Sequence, residues 1–200
     1  MGRPSTARED LVTTAANELW QGSYGSVSVG SLCSSAEVKR GSFYYFFDSK
    51  DDLVLAALEH SWKRMQGRFE RILGDETIPP LQRLSHFFHA LADVHEQYRR
   101  ESGHVPGCPF GNLSVELGSI HDPIRERVSD IFGRIVGYLA ELLHAARDAG
   151  ELEANSSEIE RRSEQIFVCL QGAQVLAKTH SDPEVIRRMA PVAVAIATGF

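Results

Sequence analysis

Apolar residues recur at helical spacing along almost the whole chain, and no pair of stretches alternates as two strands of a hairpin would. The first such segment carries Leu11, Val12, Ala15, Ala16, Leu19 and Trp20. The same period runs through residues 54–72, 81–98, 124–142, 159–177 and 186–196. The pattern predicts an all-α protein of about nine helices.

Polar residues and prolines predict where these helices begin and end. Three pairs have the spacing of a capping box at a helix N-terminus: Thr6 with Glu9, Ser49 with Asp52, and Asn155 with Glu158. Two pairs predict a cap followed by a proline at the first helical position: Asp122-Pro123 and Asp182-Pro183. Gly22 and Gly25 end the first helix, and residues 102–111 are predicted to form a loop. The break at residues 74–80 is the predicted hinge between two parts of the chain.

Two short helices joined by a tight turn are predicted between residues 28 and 45. Ser28 caps the first helix, Glu37 and Val38 lie at the turn, and the second helix runs from Lys39 to Tyr45. This is the helix-turn-helix arrangement, whose second helix can enter the major groove of DNA. The inner side is formed by Val29, Leu32, Cys33 and Val38. The residues predicted to contact DNA are Ser28, Lys39, Arg40, Gly41, Ser42, Tyr44, Tyr45 and Lys50.

Five aromatic residues in a row, Phe43 to Phe47, lie inside this segment. A helix shorter than about 12 residues is marginal by itself, so Phe43, Phe47 and either Tyr45 or Phe46 are predicted to include the residues that anchor it from the inside. The remaining tyrosines would then present their hydroxyl groups to the DNA backbone. From periodicity alone, a three-helix packing module with an aromatic core is the alternative.

Composition and charge limit the other classes of function. The net charge is −6, and residues 1–48 hold four Lys/Arg and five Asp/Glu, so DNA binding has to arise from a local patch. No apolar run approaches the ~18 residues of a membrane span, and the N-terminus lacks the apolar core of a signal peptide. We therefore expect a cytoplasmic protein that does not enter a membrane.

Chemistry-bearing motifs are sparse. The three cysteines, at positions 33, 108 and 169, are widely spaced and form no metal-ligand pattern. The sequence carries no phosphate-binding glycine loop or nucleophile motif. We expect no enzyme, no catalytic residue, no metal and no cofactor; an all-helical enzyme or cofactor carrier is the disfavoured alternative.

The segment of residues 28–53 reads SVGSLCSSAEVKRGSFYYFFDSKDDL. It resembles the DNA-binding signature of the TetR family of bacterial transcriptional repressors, and the resemblance extends over residues 6–55. One departure is Glu37, where the family usually has a glycine at the turn. The resemblance implies a helix-turn-helix domain at residues 1–48 and a ligand-binding and dimerisation domain at residues 49–200. Its partners would be double-stranded operator DNA, a small-molecule inducer and a second copy of the chain.

The resemblance also implies that the last two helices form a four-helix dimer interface. Small residues there would let helices approach closely: Gly172, Ala173, Ala177, Ala193, Ala195 and Ala197. The alternative is that these faces pack inside a single chain. An inducer pocket is implied among the middle helices, with these candidates: Trp62, Met65, Phe69, Phe88, Leu91, His95, Tyr98, Cys108, Phe110, Phe132, Phe167 and Gln171. Each of them could instead be a plain core residue.

Residues 103–118 resemble a subgroup of the family with a Gly-Cys segment followed by Gly-Asn. That subgroup includes regulators that answer electrophiles such as N-ethylmaleimide and quinones through a cysteine in this segment. Cys108 holds the matching position, and a Gly/Pro loop could expose its thiol beside His104. The alternative is a buried, apolar Cys108. For the whole chain, the alternative function is an all-helical interaction module that does not bind DNA.

Overall fold

The computed structural model describes residues 6–199, and within that range the chain forms ten helices and no strand. The helices are α1 (Ala7–Gln21), α2 (Val29–Ser35), α3 (Arg40–Phe46), α4 (Lys50–Leu73), α5 (Pro80–Ser102), α6 (Pro109–Leu117), α7 (Asp122–Asp148), α8 (Ser156–His180), α9 (Glu184–Arg188) and α10 (Ala190–Thr198). The prediction of an all-α protein is confirmed. Residues 1–5 and residue 200 lie outside the described residues. The predicted domain 1–48 begins there, and part of the N-terminal stretch on which the expectation of no signal peptide rests lies there too. The predicted domain 49–200 ends there.

Three of the predicted helix N-termini are confirmed by their hydrogen bonds. Ser28 forms a capping box with Ser31 at α2, and Asn155 forms one with Glu158 at α8. At α4, the Asp52 carboxylate accepts from the Ser49 amide at 2.9 Å, and the Ser49 hydroxyl accepts from the Asp52 amide at 3.1 Å. These caps satisfy amide groups that have no partner within the helix.

Three predicted N-termini are wrong in detail. Thr6 precedes α1 but makes no side-chain capping hydrogen bond. Helix α7 already begins at Asp122, and His121 Nδ1 accepts from the Ile124 amide at 3.4 Å, so the cap is one residue earlier than predicted. Pro183 is the N-cap of α9, not its first residue, and the Asp182 carboxylate accepts from the Glu184 amide at 3.0 Å.

The last predicted helix is divided in two at Met189. Pro191 has no amide hydrogen to donate to the carbonyl four residues earlier, and its ring crowds that position, so the chain ends α9 and begins α10. The loop predicted at residues 102–111 is also shorter than expected. Pro109 is the first residue of α6, a helix that the apolar pattern did not reveal.

The chain divides into two compact units, each built from two segments. Unit 1 comprises Met1–Arg64 and Pro109–Ser129, and unit 2 comprises Met65–Cys108 and Asp130–Phe200. Unit 1 thus contains the helix-turn-helix together with α6 and the start of α7. The functional boundary between residues 48 and 49 stays a prediction.

Each unit has its own apolar core. In unit 1, Leu11, Leu32, Phe43 and Leu53 are fully buried where α1, α2 and α3 pack together. In unit 2, α5 and α8 both pack against α9 and α10. The buried side chains there include Leu84, Phe88, Ile131, Ile135, Ile166 and Ile186.

Some of the small residues in the last helices are buried and others are accessible to solvent. Ala173, Ala177, Ala193 and Ala197 are buried within the single chain, as the alternative of internal packing held. Gly172 is exposed and Ala195 is half-buried. Within residues 6–199, none of the helices is both long and apolar enough to cross a membrane.

Candidate nucleic-acid interface

The turn between α2 and α3 has the hydrogen bonds of a Schellman motif. The Val38 amide donates to the Cys33 carbonyl at 2.9 Å, and the Glu37 amide donates to the Ser34 carbonyl at 3.2 Å. Glu37 has a φ of 54°, in the left-handed region that glycine occupies without strain. The turn therefore does require a left-handed residue at Glu37, as the departure from the family pattern suggested.

The aromatic run divides between the core and the surface. Phe43 and Phe47 are buried, with ring centroids 5.8 Å apart, and the Arg8 guanidinium lies over the Phe47 ring at 5.4 Å. Tyr44 and Tyr45 are 55% and 83% exposed. Phe43 and Phe47 anchor the short helix as predicted. Of the two further candidates, Phe46 is half-buried and Tyr45 is exposed, so two tyrosines remain available to a partner.

The start of α3 is open to solvent and carries two cations. Lys39, its N-cap, and Arg40, its first residue, are both exposed. A Cβ at Gly41 would meet no atom within 4 Å, so another molecule can approach the backbone there. Ser42 is half-buried, and the exposed Ser28 hydroxyl is engaged in the α2 capping box.

Lys50 differs from the other predicted DNA contacts because its ammonium group is already bound within unit 1. Its Nζ donates to the carbonyls of Tyr24 and Val27, both at 2.7 Å, and lies 3.5 Å from the centre of the Tyr24 ring. Burial lowers the Lys50 pKa, although Asp51 and Glu116 oppose that shift. Lys50 thus braces the α1–α2 connection, and its contact with a phosphate stays a prediction.

A polar network that the sequence did not reveal continues from this lysine. The Tyr24 hydroxyl donates to Asp51 Oδ1, and Asp51 Oδ2 lies 2.7 Å from His121 Nε2. Burial and the Asp51 carboxylate raise the Tyr24 pKa to about 12, while the Tyr24 hydrogen bond is the main cause of the lowered Asp51 pKa. Glu116 accepts from the amides of Tyr24 and Gly25, both at 2.8 Å.

The predicted inducer-pocket residues are placed in both units. Trp62 and Phe110 belong to unit 1, and the other candidates belong to unit 2. The buried ones are Trp62, Phe69, Phe88, His95, Cys108, Phe110 and Phe167. The half-buried ones are Met65, Leu91, Tyr98, Phe132 and Gln171. Within unit 2, the rings of Phe132 and Phe167 are 5.0 Å apart.

His95 is the ionisable group in this set with the most altered environment. It is 1% exposed, and its Nε2 lies 3.3 Å from Gln174 Oε1, a residue that sequence reasoning did not select. Burial lowers the His95 pKa to about 4, and the hydrogen bond with Gln174 opposes that shift. The imidazole is therefore neutral at pH 7.

Cys108 is buried, as the alternative held, so the Gly/Pro loop does not expose its thiol. The loop itself is packed, with Val105, Pro106 and Gly107 buried beside the cysteine. Gln171 Nε2 donates to Cys108 Sγ at 3.6 Å, whereas His104 is exposed and its Nδ1 lies 3.1 Å from the Ser102 carbonyl. Burial raises the pKa of the other two thiols, Cys33 and Cys169.

Comparison with known proteins identifies the family. The family model described as "Bacterial regulatory proteins, tetR family" matches residues 11–57. The model described as "Tetracyclin repressor-like, C-terminal domain" matches residues 80–192. The chain belongs to the TetR family. The first match contains the whole helix-turn-helix, and the second contains most of unit 2.

Individual relatives agree with this membership. The transcriptional regulator AcuR of Cereibacter sphaeroides is 28% identical over 189 residues, which cover 92% of this chain and 84% of AcuR. The HTH-type transcriptional repressor NemR of Escherichia coli is 23% identical over 141 residues, covering 70% and 69% of the two chains. The crystal structure of regulatory protein TetR from Rhodobacter sphaeroides superposes with a TM-score of 0.84 at 26% identity, covering 96% of this chain and 99% of that one.

Proposed function

We propose that this TetR-family protein is a homodimeric, cytoplasmic DNA-binding regulator that represses transcription until a small molecule binds it. The observation that carries the proposal is the open face at the start of α3. Lys39, Arg40, Tyr44 and Tyr45 are exposed there, on a helix that Phe43 and Phe47 hold from behind. Relatives named as a transcriptional regulator and as a repressor support the regulatory role.

The chemistry of this face suits a DNA duplex. Lys39 and Arg40 would contact phosphates, which is where most of the affinity for DNA arises. The exposed tyrosine hydroxyls and the half-buried Ser42 hydroxyl can bond either to phosphate oxygens or to base edges. Because Gly41 has no side chain, the α3 backbone can lie close to the groove. A local patch of this kind is compatible with the net charge of −6.

The test is binding of the full-length protein to the DNA upstream of its own gene, measured by fluorescence anisotropy at several salt concentrations. We expect the affinity to fall steeply with salt, since each phosphate contact contributes a slope of about −0.9 in log K against log salt. Arg40→Ala and Lys39→Ala should each make that slope shallower, by the contribution of about one phosphate contact in each subunit.

Lys63→Ala is the matched control, because Lys63 is an exposed cation on α4 at a distance along the chain from the proposed contacts. It should leave the slope unchanged. If the protein binds neither this DNA nor unrelated DNA at low salt, the repressor proposal fails. The alternative function, an all-helical interaction module that does not bind DNA, would then be favoured.

The chemical class of the inducer is a separate part of the proposal. A buried thiol at Cys108 can react only when the loop that covers it opens, so an electrophile would react slowly unless the loop moves. We propose as the inducer a reversible small-molecule ligand that binds in the apolar region of unit 2, which holds ten of the twelve inducer-pocket candidates. N-Ethylmaleimide treatment of a Cys33→Ala, Cys169→Ala protein bound to DNA distinguishes the two. Release that disappears in the matched Cys108→Ser variant would instead establish an electrophile sensor.

A further inference from the structure

A cleft of about 290 Å³ lies within unit 2, where α4 ends and α5 and α7 run past it. None of the inducer-pocket candidates lines it. Its volume equals that of about ten water molecules in the liquid, so it suits a ligand of similar size. This cleft is therefore distinct from the inducer site proposed above.

A buried arginine lines the inner part of this cleft. Arg83 is 7% exposed, and its Nη1 donates to the Leu73 carbonyl at 2.7 Å. Its Nε is buried and has no acceptor among residues 6–199. No carboxylate of the described chain lies within 4.0 Å of the guanidinium. A buried cation with an unsatisfied donor is costly unless an anion or acceptor reaches it.

Asp75, a carboxylate whose pKa the Arg83 charge lowers, already accepts hydrogen bonds from another residue. Asp75 has a lowered pKa chiefly because the Thr77 hydroxyl and amide donate to it, and the Arg83 charge contributes less than those hydrogen bonds. The Arg83 Nε–H is thus without an acceptor among residues 6–199, and the arginine lines the cleft. A carboxylate is one of the groups with which a guanidinium forms strong, charge-assisted hydrogen bonds.

The outer part of the cleft has the opposite charge. Glu70 and Glu141 line it, and both are exposed. The Tyr138 hydroxyl donates to Glu70 Oε1 at 3.2 Å, which holds that carboxylate at the cleft. Leu73 and Leu142 add apolar surface to the lining of the same cleft. A purely anionic ligand would meet repulsion from the two glutamates, and a purely cationic one would meet repulsion from the Arg83 guanidinium.

We propose that this cleft binds a small zwitterion, with its carboxylate on Arg83 and its ammonium group between Glu70 and Glu141. The two charges are separated by a short apolar chain that lies along Leu73 and Leu142. This charge order follows from a buried cation inside and two exposed carboxylates outside. The alternative role of Arg83 is purely structural, because it satisfies the last carbonyl of α4 and offsets the negative end of that helix.

Calorimetric titration of the full-length protein with three probes of one chain length distinguishes these roles. The probes are 6-aminohexanoate, hexanoate and hexylammonium at equal ionic strength and pH 7. We expect 6-aminohexanoate to bind about tenfold tighter than either single-charge probe. If no probe binds at millimolar concentration, or if all three bind equally, the proposal is overturned. The outcome does not depend on DNA binding, so it is separable from the test of the repressor.

Two variants locate the charges. Arg83→Gln should weaken 6-aminohexanoate binding by about tenfold or more, with circular dichroism to check that the helix content is retained. Because Arg83 also supports α4, the exposed Glu141→Gln gives a second test that should not disturb folding. It should reduce the preference for 6-aminohexanoate over hexanoate severalfold. Glu76→Gln, an exposed carboxylate outside the cleft lining, is the control and should change neither value; an equal effect in the control would contradict the proposal.

Discussion

Glu37 occupies a backbone position that disfavours its own side chain. With a φ of 54°, the residue is in the left-handed region, which costs a non-glycine residue about 1–2 kcal/mol. It also places a carboxylate two residues from Lys39, on the face proposed to meet DNA. Both the stability of the turn and the attraction for DNA are therefore below what a glycine at this position would allow.

Replacing Glu37 with glycine tests both effects together. Glu37→Gly should raise the free energy of unfolding by about 1 kcal/mol and tighten operator binding roughly two- to fivefold. Ser181→Gly is the matched control, since Ser181 has a φ of 52° at the end of α8 and carries no charge. It should stabilise the fold similarly without changing operator affinity. A Glu37→Gly protein that is less stable than the wild type would contradict this view of the turn.

His95 makes the stability depend on pH. Its pKa is about 4 in the folded chain, against about 6.5 in an unfolded one. Between these values the unfolded state binds the proton and the folded state does not, so stability falls as the pH falls. From pH 7 to pH 5 the loss is about 2 kcal/mol for each chain.

Urea unfolding at pH 7 and pH 5, at one protein concentration, measures this loss. His95→Leu should lack this part of the pH dependence because the titrating group is gone. His104→Gln removes an exposed histidine and should behave as the wild type does. Equal pH dependence in wild type and His95→Leu would show that other groups are responsible.

At the scale of the element, α8 carries two apolar faces. One face, with Ile159, Ile166, Leu170, Ala173 and Ala177, is buried in unit 2. The other carries the exposed side chains Val168, Val175 and Leu176, at intervals of seven and eight residues that keep them on one stripe. A second apolar stripe on a helix whose first is already buried is typical of an interaction surface.

We expect this second stripe to form the homodimer interface. In a dimer with two-fold symmetry each substitution occurs twice, so Val168→Glu with Leu176→Glu should weaken dimerisation on the order of a hundredfold. Light scattering at micromolar concentration should then show a monomer. Val115→Glu, at an 87% exposed position on α6, is the control and should remain dimeric. A monomeric wild type, or a dimeric double variant, would rule out this interface.

At the scale of the whole molecule, segments that are neighbours along the chain do not always belong to the same compact unit. Residues 109–129 directly follow the first segment of unit 2, residues 65–108, yet they belong to unit 1 with the helix-turn-helix. Glu116 holds the amides of Tyr24 and Gly25, just before α2, and His121 pairs with Asp51 at the start of α4. The α6–α7 segment is thus part of the support of the DNA-binding helices.

Removing the Glu116 carboxylate should loosen this support. In Glu116→Ala, hydrogen exchange at the Tyr24 and Gly25 amides should become about tenfold faster or more, since two hydrogen bonds to a charged group are lost. Operator affinity should fall with it. Glu76→Ala removes an exposed carboxylate from the α4–α5 connection and should change neither. Unchanged exchange in Glu116→Ala would mean that the loop is held by its other contacts.

Prediction from the sequence succeeded where the determining residues are close along the chain. The capping boxes at Ser49 and Asn155 each involve residues three apart. The break of the last helix at Met189 was missed because the apolar period continues through Pro191, although the proline lacks the amide that a continuous helix needs. The burial of Cys108 was left open between two alternatives, because loop composition indicates irregular backbone but not whether other residues cover it.

The sequence by itself determined the all-α class, the helix-turn-helix and the family, because helical period, caps and a contiguous motif are local properties of the chain. Only the tertiary structure decided which face of α8 is core, that Glu116 and His121 support the turn before α2, and that Arg83 is buried beside a cleft. The physical reason is distance along the chain. Glu116 and Tyr24 are separated by 92 residues, and no local pattern specifies which of many carboxylates will meet a given amide after folding.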